Sequence, residues 1–230
     1  MRPPPLHIYY NTAGQSEYGL RFGPADADRI VLILPPLFDE MNRTRRMMVE
    51  AMRHLAKRDV ASLLPDLPGS NESRTALSEQ SMESWRRAAS DAAIQSEATH
   101  VVSIRGGSLL DDATGLPICR LAPVKGASLL KTLLRARISA DKEAGLVTSA
   151  EQLIIEGQRH GLNLAGHAIG PAMLGDLEKA LPVLSDATTE AVLSDVAGTA
   201  LWLRSEPGDS PEMSAALAGY IDQWSATCGR

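Results

Sequence analysis

Ile30, Val31, Leu32, Ile33 and Leu34 follow one another without a polar interruption. A strand covered on both faces has this pattern, as in a parallel sheet packed between helices. Pro35 and Pro36 end it, because neither can donate to a ladder. Residues 60–64 and 101–104 repeat the theme, closed by Pro65-Asp66 and by Gly106-Gly107, and residues 117–121 supply one more strand. Between these runs the period changes. Met47, Met48, Ala51, Met52 and Leu55 recur at helical spacing, with Asn42 placed to cap the helix. Met82, Trp85, Ala89 and Ala92 predict a second helix over residues 81–96, and a short helix is expected at residues 108–113. Strand and helix in alternation predict right-handed crossovers and a parallel sheet. Residues 6–10 and 18–22 read as an antiparallel hairpin at its edge, turning at Asn11-Thr12-Ala13-Gly14.

From residue 123 to about 185 this rhythm breaks. Leu129, Leu130, Leu133, Leu134 and Ile138 lie on one helix. Residues 153–155 and 162–165 read as short irregular strands, and Pro171 opens a helix through Leu181 at a first-turn position where its missing N–H matters little. The segment predicts a cap inserted at residues 123–185, dividing a core made of 1–122 and 186–230. The rhythm resumes with a strand at residues 199–203 and a turn at 206–209. Ser210 then caps a final helix with Pro211 at its first position, and Met213, Ala216, Leu217, Tyr220, Ile221 and Trp224 form its apolar stripe. The fold class expected is α/β: a mostly parallel sheet flanked by helices, with an inserted cap and no further strand after that helix.

Composition narrows the possible partners. The 230 residues suit one domain, and the net charge of −5 is spread along the chain without a basic stripe, so nucleic acid is not an expected partner. Cys119 and Cys228 have neither CxxC spacing nor a Cys/His cluster, so neither a zinc site nor a disulfide framework is expected. No metal or cofactor is expected. No run approaches the ~20 apolar residues of a membrane span, and Met1-Arg2-Pro3-Pro4-Pro5 lacks the apolar stretch of a signal peptide. The expected location is cytoplasmic.

The chemistry concentrates at Val101-Val102-Ser103-Ile104-Arg105-Gly106-Gly107. A strand running into a glycine turn is the shape of a nucleophile elbow, whose usual spelling is G-x-S-x-G. Here the pattern is Ser103-x-Arg105-x-Gly107. Upstream, Pro35-Pro36-Leu37-Phe38-Asp39-Glu40-Met41-Asn42 with Arg45-Arg46-Met47 resembles the opening motif of the exosortase A system-associated hydrolases, α/β-hydrolase-fold proteins of bacterial exopolysaccharide clusters. Leu64-Pro65-Asp66-Leu67-Pro68-Gly69-Ser70-Asn71-Glu72-Ser73 is similar to their D-L-x-G-x-G-x-S turn, with Asn71 for the second glycine. Leu121-Ala122-Pro123-Val124 and Ala165-Gly166-His167-Ala168-Ile169 are similar as well. The resemblance covers residues 28–205. It implies oxyanion donors at the Gly106 N–H and at the Leu37 or Phe38 N–H, an acid at Asp209 after the late strand, and an elbow in which arginine often replaces serine. The chain departs from the fold family after its last helix, where only residues 225–230 remain and none is histidine.

Arg105 has no nucleophilic oxygen and stays protonated. His100 precedes its strand, at the wrong end of the sheet. His54 belongs to a charged helix face, and His7 to the first strand. His160 and His167 fall in the cap, where His167 could hang over the site as a base. Ser103 lies within a strand, and Ser108 one turn past the elbow. Two roles remain open for Arg105. It can fill the vacant slot as an ion pair with Glu40, Asp66 or Asp209, or it can bind an anion together with the Gly106 and Gly107 N–H groups at a helix start. The first function expected is a degenerate hydrolase that binds an acidic small molecule or a protein partner. The second is an ester or thioester hydrolase with a non-standard nucleophile. A homodimer through an exposed sheet edge is the third.

Overall fold

A computed structural model describes residues 5–186 and 188–228. Of the N-terminal stretch Met1–Pro5, read as lacking the apolar run of a signal peptide, residues 1–4 lie outside the described residues. β1 (Leu6–Thr12) and β2 (Gln15–Phe22) pair antiparallel through a two-residue turn in which Ala13 and Gly14 both have positive φ. Positive φ at both positions matches the twist of the flanking strands, so the hairpin runs farther than its apolar residues suggested. β3 (Ile30–Leu34), α1 (Asp39–Ala56), β4 (Ala61–Pro65), α2 (Met82–Gln95), β5 (His100–Ile104) and β6 (Ile118–Leu121) follow in alternation. Next come α3 (Gly126–Glu143), α4 (Ala150–His160), the small hairpin β7 (Leu162–Leu164) and β8 (His167–Ile169), and α5 (Pro171–Lys179). β9 (Thr188–Ala191) and α6 (Pro211–Thr227) are the last two such elements among the described residues. The main sheet has seven strands in the order β1-β2-β4-β3-β5-β6-β9, parallel from β4 onward. This is the α/β architecture expected.

Two apolar layers sandwich the sheet. On one face Leu32, Val101 and Ile118 meet Trp85 and Ala89 of α2, and the same cluster continues into Leu130 of α3, Leu153 of α4 and Leu174 of α5. On the other face Val31, Val102 and Cys119 meet the methionines of α1 and Met213, Leu217 and Ile221 of α6. Burial pushes the Cys119 thiol up to about 12, as expected of a sulfur held as a core hydrophobe. Among the described residues no helix is long and apolar enough to cross a membrane.

Several local expectations are corrected. Residues 153–155 lie in α4, not in a strand, because Ser149 forms a capping box with Gln152 and nucleates a helix there. The strand expected at residues 199–203 is absent. Leu201–Leu203 is a 3-10 turn, and the place beside β6 is taken by β9. An edge strand needs no apolar run on both faces, so Thr188, Thr189 and Glu190 serve, while Leu201 and Trp202 are free to fold over the sheet's end. α1 starts three residues before Asn42: Phe38 is its N-cap without a side-chain bond, and the Met41 N–H donates to the Phe38 carbonyl at 3.1 Å. The helix expected at residues 108–113 is two 3-10 turns, Arg105–Leu109 and Asp111–Thr114. The chain bends there because Asp111 is drawn into the interior, where it accepts from Arg120 at 2.8 and 2.9 Å and from Ser103 Oγ at 2.6 Å.

Candidate functional site

In open parallel sheets ligands bind beyond the carboxyl ends of the strands. Three non-glycine residues with positive φ stand there: Phe38 (56°) after β3, Arg105 (53°) after β5 and Ala122 (49°) after β6. Such conformations are strained for L-residues and persist only when surrounding structure holds them. Gly107 shows how tight the bend is. A Cβ at this position would stand 2.5 Å from the Leu34 carbonyl oxygen and 2.8 Å from that of Pro35. At Gly106 a Cβ would meet Leu37 Cγ and Leu129 Cδ1, both at 2.8 Å. The elbow and the end of β3 are therefore in direct contact, and Leu37 lies against Gly106.

Arg105 turns into this junction and finds Glu40. Its Nε donates to Glu40 Oε2 and its Nη2 to Glu40 Oε1, each at 3.0 Å. This two-point fork is the strongest geometry a guanidinium and a carboxylate adopt. Nη1 donates to the Ala122 carbonyl at 3.3 Å, and the Trp202 ring lies 4.8 Å from the guanidinium carbon. The side chains are 17% and 10% exposed, so the pair is mostly withdrawn from water. Of the three partners considered for Arg105, Glu40 is the one it meets. Asp66 instead holds Arg45 at 3.2 Å, and Asp209 holds Arg46 at 3.0 Å.

Asp209 stands apart from any histidine of the site. It lines a separate hollow with Arg46, Glu50, His54 and Lys57. His167, on the β7–β8 hairpin, does reach the core: its Nε2 lies 2.8 Å from Asp39 Oδ1, and its ring packs edge-on against Phe38 at 5.6 Å. Asp39 also faces Arg43 at 3.8 Å, and Arg43 donates to the Trp202 carbonyl at 3.0 Å. The structure thus gathers Leu37, Phe38, Glu40, Arg105, Gly106 and Gly107 at one end of the sheet, brings His167 beside them, and leaves Asp209 outside. The helix start expected to polarise the Gly106 and Gly107 N–H groups is a 3-10 turn of five residues, too short to sum peptide dipoles as an α-helix does.

Beside the pair lies a cleft of about 60 Å³, lined by Leu37, Phe38, Asp39, Glu40 and Arg43 below and by Leu129, Thr132 and Leu133 of α3 above. Sites for drug-sized ligands run to about 300–1,000 Å³, so this one admits little more than water. Among the described residues no cluster of side chains suits a metal ion. Sequence reasoning missed Asp39 as the partner of His167, although it adjoins Glu40 in the quoted motif. It also missed Trp202, placed in a strand, and the fully buried Arg120–Asp111 pair. A charge inside an apolar strand requires a buried partner, and Arg120 between Cys119 and Leu121 was that signal.

No family model matches the chain, and no curated protein does. Solved structures match in shape. A thermophilic esterase from Thermogutta terrifontis, with malate bound, is 14% identical, covering 96% of this chain and 97% of that one at a TM-score of 0.56. Est1E from Butyrivibrio proteoclasticus, with ferulic acid bound, is 12% identical over 76% of this chain and 71% of its own, at a TM-score of 0.53. The thioesterase domain of the curacin biosynthetic pathway is 12% identical over 97% of this chain and 100% of its own, at 0.50. Together with the strand order, these likenesses establish the α/β-hydrolase fold. At such identities they carry the fold and not the activity.

Proposed function

We propose that the chain is a non-hydrolysing relative of the exosortase A system-associated hydrolases, cytoplasmic, in which residues 123–185 cap the sheet and the protein recognises rather than cleaves. One observation carries this reading: the elbow position holds Arg105, already neutralised by a two-point pair with Glu40 and roofed by Trp202. Acyl transfer needs an attacking oxygen, a base in reach and oxyanion donors. Arg105 supplies no attacking oxygen, and the cleft beside the pair measures only about 60 Å³. The same pair weakens one half of the binding expectation. An acidic small molecule would have to displace Glu40 from Arg105, whereas a protein partner would not. Recognition of a protein partner is therefore the form favoured.

A second reading rests on His167. Its contact with Asp39 is that of a base oriented by an acid, which could activate water without a side-chain nucleophile. A panel of aryl esters and acyl thioesters separates the two. The wild type, Arg105→Ala and His167→Ala are all expected to show no turnover above the uncatalysed rate. Turnover by the wild type that disappears in His167→Ala would overturn the non-hydrolysing reading and establish the second.

A further inference from the structure

Away from the elbow, the outer face of the β1–β2 hairpin forms the wall of an open groove of about 940 Å³. Tyr9 and Tyr18 are cross-strand partners on that wall, their rings 6.0 Å apart and nearly perpendicular. Tyr9 is 71% exposed, and nothing in the fold requires an aromatic ring in water there. His7 is bonded to the Tyr18 hydroxyl and extends the wall. Arg45 of α1 faces it, and Glu72 and Arg74 form its lip. Arg74 is exposed and makes no ion pair among the described residues.

The groove is held in place from below. The Asp66 carboxylate, fully buried, accepts from Arg45 at 3.2 Å, from Asn71 Nδ2 at 2.7 Å and from the Glu72 N–H at 3.5 Å. Ser73 Oγ accepts from the Gly69 N–H at 2.8 Å and donates to Glu17, itself buried, at 3.0 Å. Two buried carboxylates thus brace the loop that carries Glu72 and Arg74 and fix the position of Arg45. Burying carboxylates is unfavourable unless they are bonded, and here their bonds serve an exposed loop. Side chains so positioned lose little freedom when a ligand arrives.

We infer that this groove binds a nucleoside monophosphate. A planar base stacks on Tyr9, and the phosphate takes the guanidinium forks of Arg74 and Arg45. Glu72 accepts from an amino group on the base, and its negative charge disfavours longer phosphate chains. Titration calorimetry of the full chain with AMP, adenosine and inorganic phosphate tests the assignment. AMP is expected to bind, with adenosine and phosphate each weaker by about tenfold or more. Arg74→Ala and Tyr9→Ala, both at exposed positions, should each weaken AMP by a similar factor while leaving the melting temperature unchanged. Absence of AMP binding, equal binding of AMP and phosphate, or full affinity in both variants would overturn it. None of these outcomes depends on what the elbow does.

Discussion

Arg105 puts a permanent charge at the turn after β5, mostly withdrawn from water, and Glu40 makes that tolerable. Removing one member of such a pair strands the other without water. Glu40→Gln is therefore expected to lower stability by about 3 kcal/mol, read from urea denaturation. Arg105→Met with Glu40→Gln should recover most of that loss, since an apolar side chain of similar length asks nothing of its partner. If the double variant is as unstable as the single one, the pair is not the stabilising unit. His100 gives a second residue-level effect. Burial against Trp224, whose ring lies 5.3 Å away, pulls its pKa below the ordinary 6.5. The folded protein then holds His100 neutral while the unfolded chain takes up a proton. Stability is full above the unfolded value and falls as pH drops below it. His54, also lowered by burial, acts in the same direction. Denaturation midpoints between pH 7 and 5 are expected to fall, and less steeply in His100→Phe; an unchanged slope would remove His100 from the account.

At the scale of elements, the decisive unit is β5 with its turn. Its apolar residues fix the strand, but the elbow's shape depends on Gly107 clearing the carbonyls at the end of β3. Those atoms are backbone and cannot move aside. Gly107→Ala is expected to cost about 2–3 kcal/mol and to displace Arg105 from Glu40. Thermal melts would show the loss; a melting temperature unaltered from the wild type would mean the backbone there is less tightly packed than its geometry indicates. The edge strand β1 is handled differently. The Gln95 side chain bonds both the N–H and the carbonyl of Asn11, at 2.9 and 2.7 Å, and so occupies a rung of the ladder that another strand would need.

Over the whole molecule, α3, α4 and α5 share one apolar cluster with the sheet and α2. Leu130, Leu153 and Leu174 pack into the same layer as Trp85 and Val101. A segment without a core of its own has nothing to hold it folded alone. The chain is accordingly expected to unfold in one cooperative step, with equal calorimetric and van't Hoff enthalpies. Two separated transitions would show that residues 123–185 form an independent unit.

The sequence determined the parallel strands, because short apolar runs such as residues 30–34, stopped by Pro or Gly and alternating with helical periods, suit a sheet covered on both faces. It determined the sharp bend at Arg105, through Gly106 and Gly107. It determined α2, from the spacing of Met82, Trp85, Ala89 and Ala92, and α6, whose cap Ser210 is a local signal. Tertiary structure alone decided which carboxylate Arg105 meets, since Glu40, Asp66 and Asp209 are equally plausible in one dimension. It decided that Asp39, not Asp209, faces His167. It also decided that β9, rather than residues 199–203, completes the sheet. The difference is physical. Periodicity and capping act within a few residues and are written in the order of the chain, whereas a charge finds its partner only after helices and strands have packed and water has been removed between them.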